Sequence, residues 1–324
     1  MALIIHFALV ALGFILLIKG AGALVGGASS LARKFNISEL AIGLTIVALG
    51  TSAPELVVNI ISGTNGYSDV VFGNIIGSNI FNLFLILGVS GTIYPLVVQR
   101  NTVLKEVPFS LFITLVLFFL INDNIFGGEG SINESSRIDG IVLMSLFGLF
   151  LTYVFFNMRS GTQAEESNIK TYGGWGTALR IIGGLVGLVY GGKLVVDNAV
   201  DIARAFEVSE KLIGLTIIAA GTSLPELATS AVAAYKRQAD IAIGNVIGSN
   251  IFNILLVLGL STLVSPLRYN ASFNTDIYIL LGGTLLLLLF MFTINKKKLD
   301  RWEAFLYLVT FIAYMVFLFI REGL

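Results

Sequence analysis

Two glutamates lie inside apolar segments of this chain, and each sits in the same surroundings. Gly50-Thr51-Ser52-Ala53-Pro54-Glu55 returns as Gly221-Thr222-Ser223-Leu224-Pro225-Glu226, and Gly73-Asn74-Ile75-Ile76-Gly77-Ser78-Asn79-Ile80-Phe81-Asn82 returns as Gly244-Asn245-Val246-Ile247-Gly248-Ser249-Asn250-Ile251-Phe252-Asn253. Subtracting 51 from 222, or 82 from 253, gives an offset of 171 both times, so neither copy has gained or lost a residue between its motifs. The chain is an internal duplication, and its fold must be assembled from two copies of one unit.

The solvent of that fold follows from composition. With 56% hydrophobic and 12% charged residues, 324 residues carry too little charged surface for a water-soluble protein. Ten apolar stretches, near 2 to 31, 38 to 64, 69 to 94, 103 to 121, 138 to 157, 174 to 204, 210 to 236, 240 to 264, 275 to 294 and 302 to 320, approach the roughly 20 residues that cross a bilayer as a helix. The first lacks the basic start and small-residue cleavage site of a signal peptide, so it reads as helix 1. One set of loops carries Arg33, Lys34, Arg100, Lys105, Arg159, Lys170, Lys236, Arg237, Lys296, Lys297, Lys298 and Arg301; the opposite set has Arg137, Arg204, Lys211, Arg268 and Arg321. Positive charge gathers on the cytoplasmic side, which places both termini outside.

Ten crossings halve into five and five, and an odd number makes the second copy enter from the opposite face. The expected fold is an all-α integral membrane protein of ten transmembrane helices in two inverted five-helix repeats. These are residues 1–157 and 174–324, joined by a polar cytoplasmic linker at 158–173, with broken helices 2, 3, 7 and 8. Inverted repeats with interrupted helices are a recurring construction of secondary transporters, whose sites lie near the midplane.

Pro54 and Pro225 lack an amide hydrogen and clash with the preceding turn, so each helix should kink beside its glutamate. Irregular backbone at membrane depth is tolerated where it is buried or lines a cavity, which sets the carbonyls of Ala48, Thr51, Ala219 and Thr222 facing inward. Acidic groups at mid-span are costly to insert, about 2.5 to 3.5 kcal/mol for Asp, so Glu55 and Glu226 call for a compensating cation. The chain has no Cys and one His, His6, which disfavours a soft or imidazole-rich site. What it offers is oxygen. Calcium takes about six to eight oxygen ligands in flexible geometry, and two carboxylates balance its charge. Sodium suits the neutral oxygens of Ser52, Ser223, Ser78, Ser249, Asn82 and Asn253.

The doubled GTSxPE and GNxIGSNIFN segments closely resemble the alpha repeats of the cation/calcium antiporter superfamily, in its prokaryotic sodium/calcium exchanger branch, and the resemblance runs through the whole chain. It implies a multi-pass protein of the cytoplasmic (inner) membrane that exchanges sodium for calcium by alternating access, without cofactor, enzymatic activity or obligatory protein partner. It implies Glu55 and Glu226 as central calcium ligands, completed by the Thr51 and Thr222 carbonyls. Ser52, Ser223, Ser78, Ser249 and the carbonyls of Ala48 and Ala219 would form sodium sites, with Asn82 and Asn253 at the centre. Some archaeal and potassium-dependent relatives have aspartate at the place of Asn253. The asparagine here points away from potassium co-transport. Exchange with an excess of sodium charge over calcium charge would be electrogenic. Helices 1 and 6, rich in glycine (Gly20, Gly22, Gly26, Gly27, Gly183, Gly184, Gly187, Gly191, Gly192), would slide over a stationary core.

Other readings stand beside these. Glutamates within spans can serve as interhelical glue, and Gly73/Gly77 and Gly244/Gly248 fit small-xxx-small packing. Asp69 and Asp240 read as helix caps, His6 as an interfacial residue, and Lys19 and Lys193 as snorkelling side chains. Trp175 and Trp302 suit either interfacial anchoring or packing against neighbours. A proton/calcium exchanger, with both glutamates titrating, is the alternative transporter. A cation channel would pass calcium without a counter-ion, and an enzyme lacks any nucleophile with a base.

Overall fold

The computed structural model describes residues 2–97, 102–123, 133–157, 172–207, 219–292 and 297–321. Most of the expected linker, the first part of the seventh apolar stretch, and Arg100, Arg159, Lys170, Lys211 and Lys296 lie outside the described residues. Among the described residues, eight helices are long and apolar enough to cross a membrane, and a bent helix pair makes a ninth. The seventh expected span is represented by its second part only.

Helix α1 covers Ala2–Phe35, about 50 Å at the usual rise. Ser38 then caps the next helix by accepting from the Ala41 amide at 3.1 Å. That span is two helices, α2 (Glu39–Thr51) and α3 (Ala53–Thr64), bent by 48°. Ser52 at the bend leaves the helical region (φ −85°, ψ 8°), and Pro54 occupies the first turn of α3. The kink expected from proline is therefore present. There follow α4 (Ser68–Ile93), α5 (Leu104–Ile121), α6 (Arg137–Asn157) and α7 (Gly174–Ala205), then α8 (Ala219–Gly221) and α9 (Leu224–Tyr235). The last are α10 (Ala239–Val264), α11 (Ala271–Phe290) and α12 (Arg301–Arg321). The break repeats between α8 and α9 at Ser223, with Pro225 in the first turn of α9.

Helices 3 and 8 of the sequence reading are not broken. They are α4 and α10, continuous spans that widen into π-helical stretches at Phe81–Ile86 and Asn253–Leu258. Neither contains a proline to remove an amide donor, so the ladder loosens without parting. Asp69 and Asp240 are not caps either: the N-cap positions are Tyr67 and Gln238, and both aspartates lie in the first turn, where a carboxylate favours the helix dipole.

Helix α10 is buried along nearly its whole length and forms, with α2, α3, α4 and α9, the middle of the molecule. Phe72, Phe84, Phe252 and Tyr307 are among its largest fully buried side chains. Gly244 and Gly248 let α10 approach α2 closely: a Cβ on Gly244 would lie 2.9 Å from the Leu40 carbonyl, and one on Gly248 2.9 Å from Leu44 Cα. The outer helices α1, α7 and α12 present apolar side chains outward, among them Ile4, Ile15, Leu179, Ile182 and Ile312. Trp175 and Trp302 are also exposed, and Trp302 in addition packs edge-on against Phe290. Lys19 and Lys193 are exposed.

Contacts between the halves come in pairs exchanged by the 171-residue offset. Helices α1 and α7 run antiparallel, with Gly13 against Gly191 and Gly20 against Gly184; Gly184 is the mate of Gly13, and Gly191 of Gly20. Each end of this seam carries a polar pair, Ser30–Thr177 at 3.0 Å and His6–Asp201 at 3.7 Å, again mates. His6 also bonds Asn198 at 2.8 Å. Two short antiparallel ribbons, β1 (Leu96–Val97) with β4 (Lys298–Leu299) and β2 (Glu134–Ser135) with β3 (Leu267–Arg268), tie the connecting segments.

The glycine seam makes a prediction. A Cβ on Gly184 would stand 2.6 Å from the Leu24 amide nitrogen, a backbone atom that cannot step aside. Gly184→Val should cost about 1 to 3 kcal/mol, seen as a lower midpoint in a thermal melt of the detergent-solubilised protein. Gly183→Val, on the same helix with nothing within 4 Å of its Cβ position, should melt near wild type.

Candidate functional site

Both helix breaks carry their glutamates into the interior. Glu55 and Glu226 are each 1% exposed, one turn into α3 and α9, where the bend turns the chain inward. Each carboxylate is held by a serine of the other half. Ser52 Oγ lies 2.9 Å from Glu226 Oε1 and 3.1 Å from Ser249 Oγ. Ser223 Oγ lies 3.4 Å from Glu55 Oε1 and 3.2 Å from Ser78 Oγ. These are the same contacts with the halves exchanged. Six of the residues expected from the sequence, Glu55, Glu226, Ser52, Ser223, Ser78 and Ser249, are thus brought into one cluster.

Asn253 opens its π-helical stretch, Asn82 is the second residue of the other, and both are buried. Asn82 Nδ2 donates to Asn250 Oδ1 at 3.0 Å, and Asn253 Nδ2 donates to Asn79 Oδ1 at 3.0 Å. Asn79 and Asn250 in turn each donate Nδ2 to the other's backbone carbonyl at 3.3 Å. Neither Asn79 nor Asn250 was among the site residues expected from the sequence. Their signal was available: an amide at the same place in both copies, inside a helix that is otherwise apolar.

This bracing fixes which atoms remain free. Among the buried oxygens of the described residues that have no hydrogen-bond partner are two pairs of mates at this site: Glu55 Oε2 with Glu226 Oε2, and Asn82 Oδ1 with Asn253 Oδ1. Each belongs to a side chain whose other polar atom is already engaged across the halves. Leaving such acceptors buried and unpaired costs about 1 to 3 kcal/mol apiece, more for a charged group, so the arrangement fits a cation that takes them as ligands. Among the described residues no group of three or more Asp, Glu, His or Cys could hold a metal alone. The neutral oxygens are therefore part of any cation shell here, which suits hard ions bound through oxygen.

The remaining expected residues lie at the breaks. Thr51 is fully buried, and its hydroxyl reaches the Val47 carbonyl at 3.1 Å and Asn245 Oδ1 at 3.1 Å. The Ala48 carbonyl accepts from the Ser52 amide at 2.9 Å and from the Thr51 hydroxyl at 3.3 Å. Ala219 begins α8, and Thr222 stands between α8 and α9 with its Oγ1 buried.

Residues 5–156 and 177–320 match the family described as sodium/calcium exchanger protein. The chain is 32% identical over 354 aligned positions to the sodium/calcium exchanger MaX1 of Methanosarcina acetivorans, covering 97% of this chain and 99% of that protein. It is 37% identical over 268 positions to the inner membrane protein YrbG of Escherichia coli, covering 80% of each. Among solved structures it is similar to the sodium-calcium exchanger NCX_Mj soaked with 10 mM Na+ and zero Ca2+, with a TM-score of 0.82 and 34% identity over 97% of this chain and 99% of that one.

Proposed function

This chain belongs to the sodium/calcium exchanger protein family, and from that premise we propose that it is a secondary active antiporter exchanging sodium for calcium across the cytoplasmic membrane. The observation that carries the reading is the pair of orphaned carboxylate oxygens and the pair of orphaned amide oxygens, all buried and related by the duplication.

Calcium binds between Glu55 and Glu226, with the carbonyls of Thr51 and Thr222 in its shell. Sodium occupies flanking positions made from the same carboxylates, Ser52, Ser78, Ser223, Ser249 and the carbonyls of Ala48 and Ala219; Asn82 and Asn253 stand at the centre. Because the two ions draw on shared oxygens, filling by one expels the other, which couples their movement without a moving gate between separate sites. The five-helix halves 1–157 and 174–324 are inverted in the membrane with both termini outside, a reading supported by the antiparallel run of α1 and α7. These two helices meet through their own glycines, so they move as a pair against the buried helices during alternating access.

The exchange is electrogenic and independent of potassium. Two formal charges at the centre match one calcium, and net positive charge follows sodium, an effect of about 2.3 kcal/mol per charge per 100 mV. Proteoliposomes loaded with sodium and diluted into sodium-free choline buffer should take up calcium-45 with no potassium present. Valinomycin with external potassium makes the lumen positive and should speed that uptake. An imposed proton gradient without sodium should drive none; uptake under that condition would establish the proton exchanger instead.

A further inference from the structure

The 171-residue offset also marks where the two halves stop matching. Behind each glutamate an amide group bonds its backbone carbonyl, but the amide comes from a different place in each half. In the second half, Asn245 of α10 donates Nδ2 to the Glu226 carbonyl at 3.3 Å and to Ser230 Oγ at 2.9 Å, and its Oδ1 accepts from Thr51 at 3.1 Å. The mate of Ser230 is Asn59, since 230 minus 171 is 59. Asn59 Nδ2 itself takes the Glu55 carbonyl, at 2.7 Å, and Asn74 Oδ1 at 3.3 Å. Asn74, the mate of Asn245, thus turns its oxygen to Asn59 and to Ser78 Oγ, 3.5 Å away. Thr222 lacks the amide partner that its mate Thr51 has. Asn59 is fully buried, and its Oδ1 has no partner.

We infer that Asn59 is a positioning residue that makes the two flanks of the ion site unequal. It fixes Glu55 within its own helix, α3, and holds the Asn74 oxygen toward Ser78. Glu226 is fixed instead by the neighbouring α10, and through Asn245 it is linked to Thr51 of the other half. A shift of α10 against α9 therefore disturbs the Glu226 turn directly, while the Glu55 turn keeps its bond whichever way α4 moves. Asn59 lies between Glu55 and the Thr64 end of the span, and Ser230 between Glu226 and the Tyr235 end, so the difference acts on opposite sides of the site. An exchanger made of two equal halves would bind sodium alike from both faces; this one should not.

The inference rests on Glu55 and Ser78 being ion ligands. Asn59→Ser gives the first half the chemistry of the second, because a hydroxyl has one proton and a short reach, and Asn74 is then free to donate to the Glu55 carbonyl as Asn245 does to Glu226. Asn59→Ala removes both donors and serves as a second variant. Sodium dependence of calcium-45 exchange would be measured in right-side-out and in everted membrane vesicles, normalised to folded protein. In both variants the sodium concentration for half-saturation should change by about three- to tenfold at one face only, altering the ratio between the faces by the same factor. An equal change at both faces, or a lower maximal rate with neither half-saturation moved, would overturn the inference. Wild-type vesicles without sodium-driven exchange would overturn the ion-site reading itself, a result separable from any behaviour of the variants.

Discussion

Glu226→Gln should reduce sodium-driven calcium uptake in proteoliposomes by a factor of about thirty or more, and Glu55→Gln should do the same. The substitution keeps the shape of the side chain and one carbonyl oxygen but removes a full charge where both glutamates are shielded from water. Removing one partner of a buried charge pair costs about 2 to 5 kcal/mol, and 1.4 kcal/mol is tenfold in affinity. Calcium loses more than sodium, because it needs both charges for neutrality. The glutamine amide must also place its N–H2 group either on Ser52, which lies 2.9 Å from Glu226 Oε1 and would then accept instead of donate, or into the cation position, where it repels the ion. Folding should survive: a neutral amide is easier to bury than an unpaired carboxylate, so the melting midpoint without ions should stay level or rise. Stability retained with uptake lost separates a ligand from interhelical glue, whose removal would lower both. Uptake within threefold of wild type would refute the ligand role.

The helices of this protein were readable because their apolar stretches are long, and the bend of α2 against α3 because Pro54 leaves a local mark. The unbroken course of α4 and α10 was not readable. Their π-helical stretches begin at Phe81 and Asn253 with residues that are equally at home in an α-helix, so the widening depends on what packs around them. At the site, Glu55, Glu226 and the four serines were legible as polar groups repeated in an apolar setting. Their pairing across the halves was not, because Ser52 meets Glu226 over 174 residues of chain and nothing local encodes such a contact. The same limit hid Asn79 and Asn250. As members of a repeated motif they were visible, but their task, holding Asn82 and Asn253 so that one oxygen of each is left over, exists only once the copies face each other. Asp69 and Asp240 failed as caps for a smaller reason: the helices start two residues earlier than their position suggests.

Asn250→Ala should impair both the fold and the site, by a route different from that of the glutamates. The side chain of Asn250 accepts from Asn82 Nδ2 at 3.0 Å and donates to the Asn79 carbonyl at 3.3 Å. Truncation leaves a buried donor and weakens the satisfaction of a buried acceptor, at about 1 to 3 kcal/mol each. The thermal midpoint should therefore fall, in contrast to Glu226→Gln. Transport should fall too, since the Asn82 amide, no longer held by its nitrogen, is free to rotate and withdraw the oxygen that the site presents. Asn79→Ala removes the mated bonds and should behave alike. Combined, the two substitutions should cost less than the sum of each alone, because both dismantle one reciprocal pair. Strictly additive loss in melts of the single and double variants would mean that the two amides act independently, and that the cross-half clamp does not set the geometry of Asn82 and Asn253.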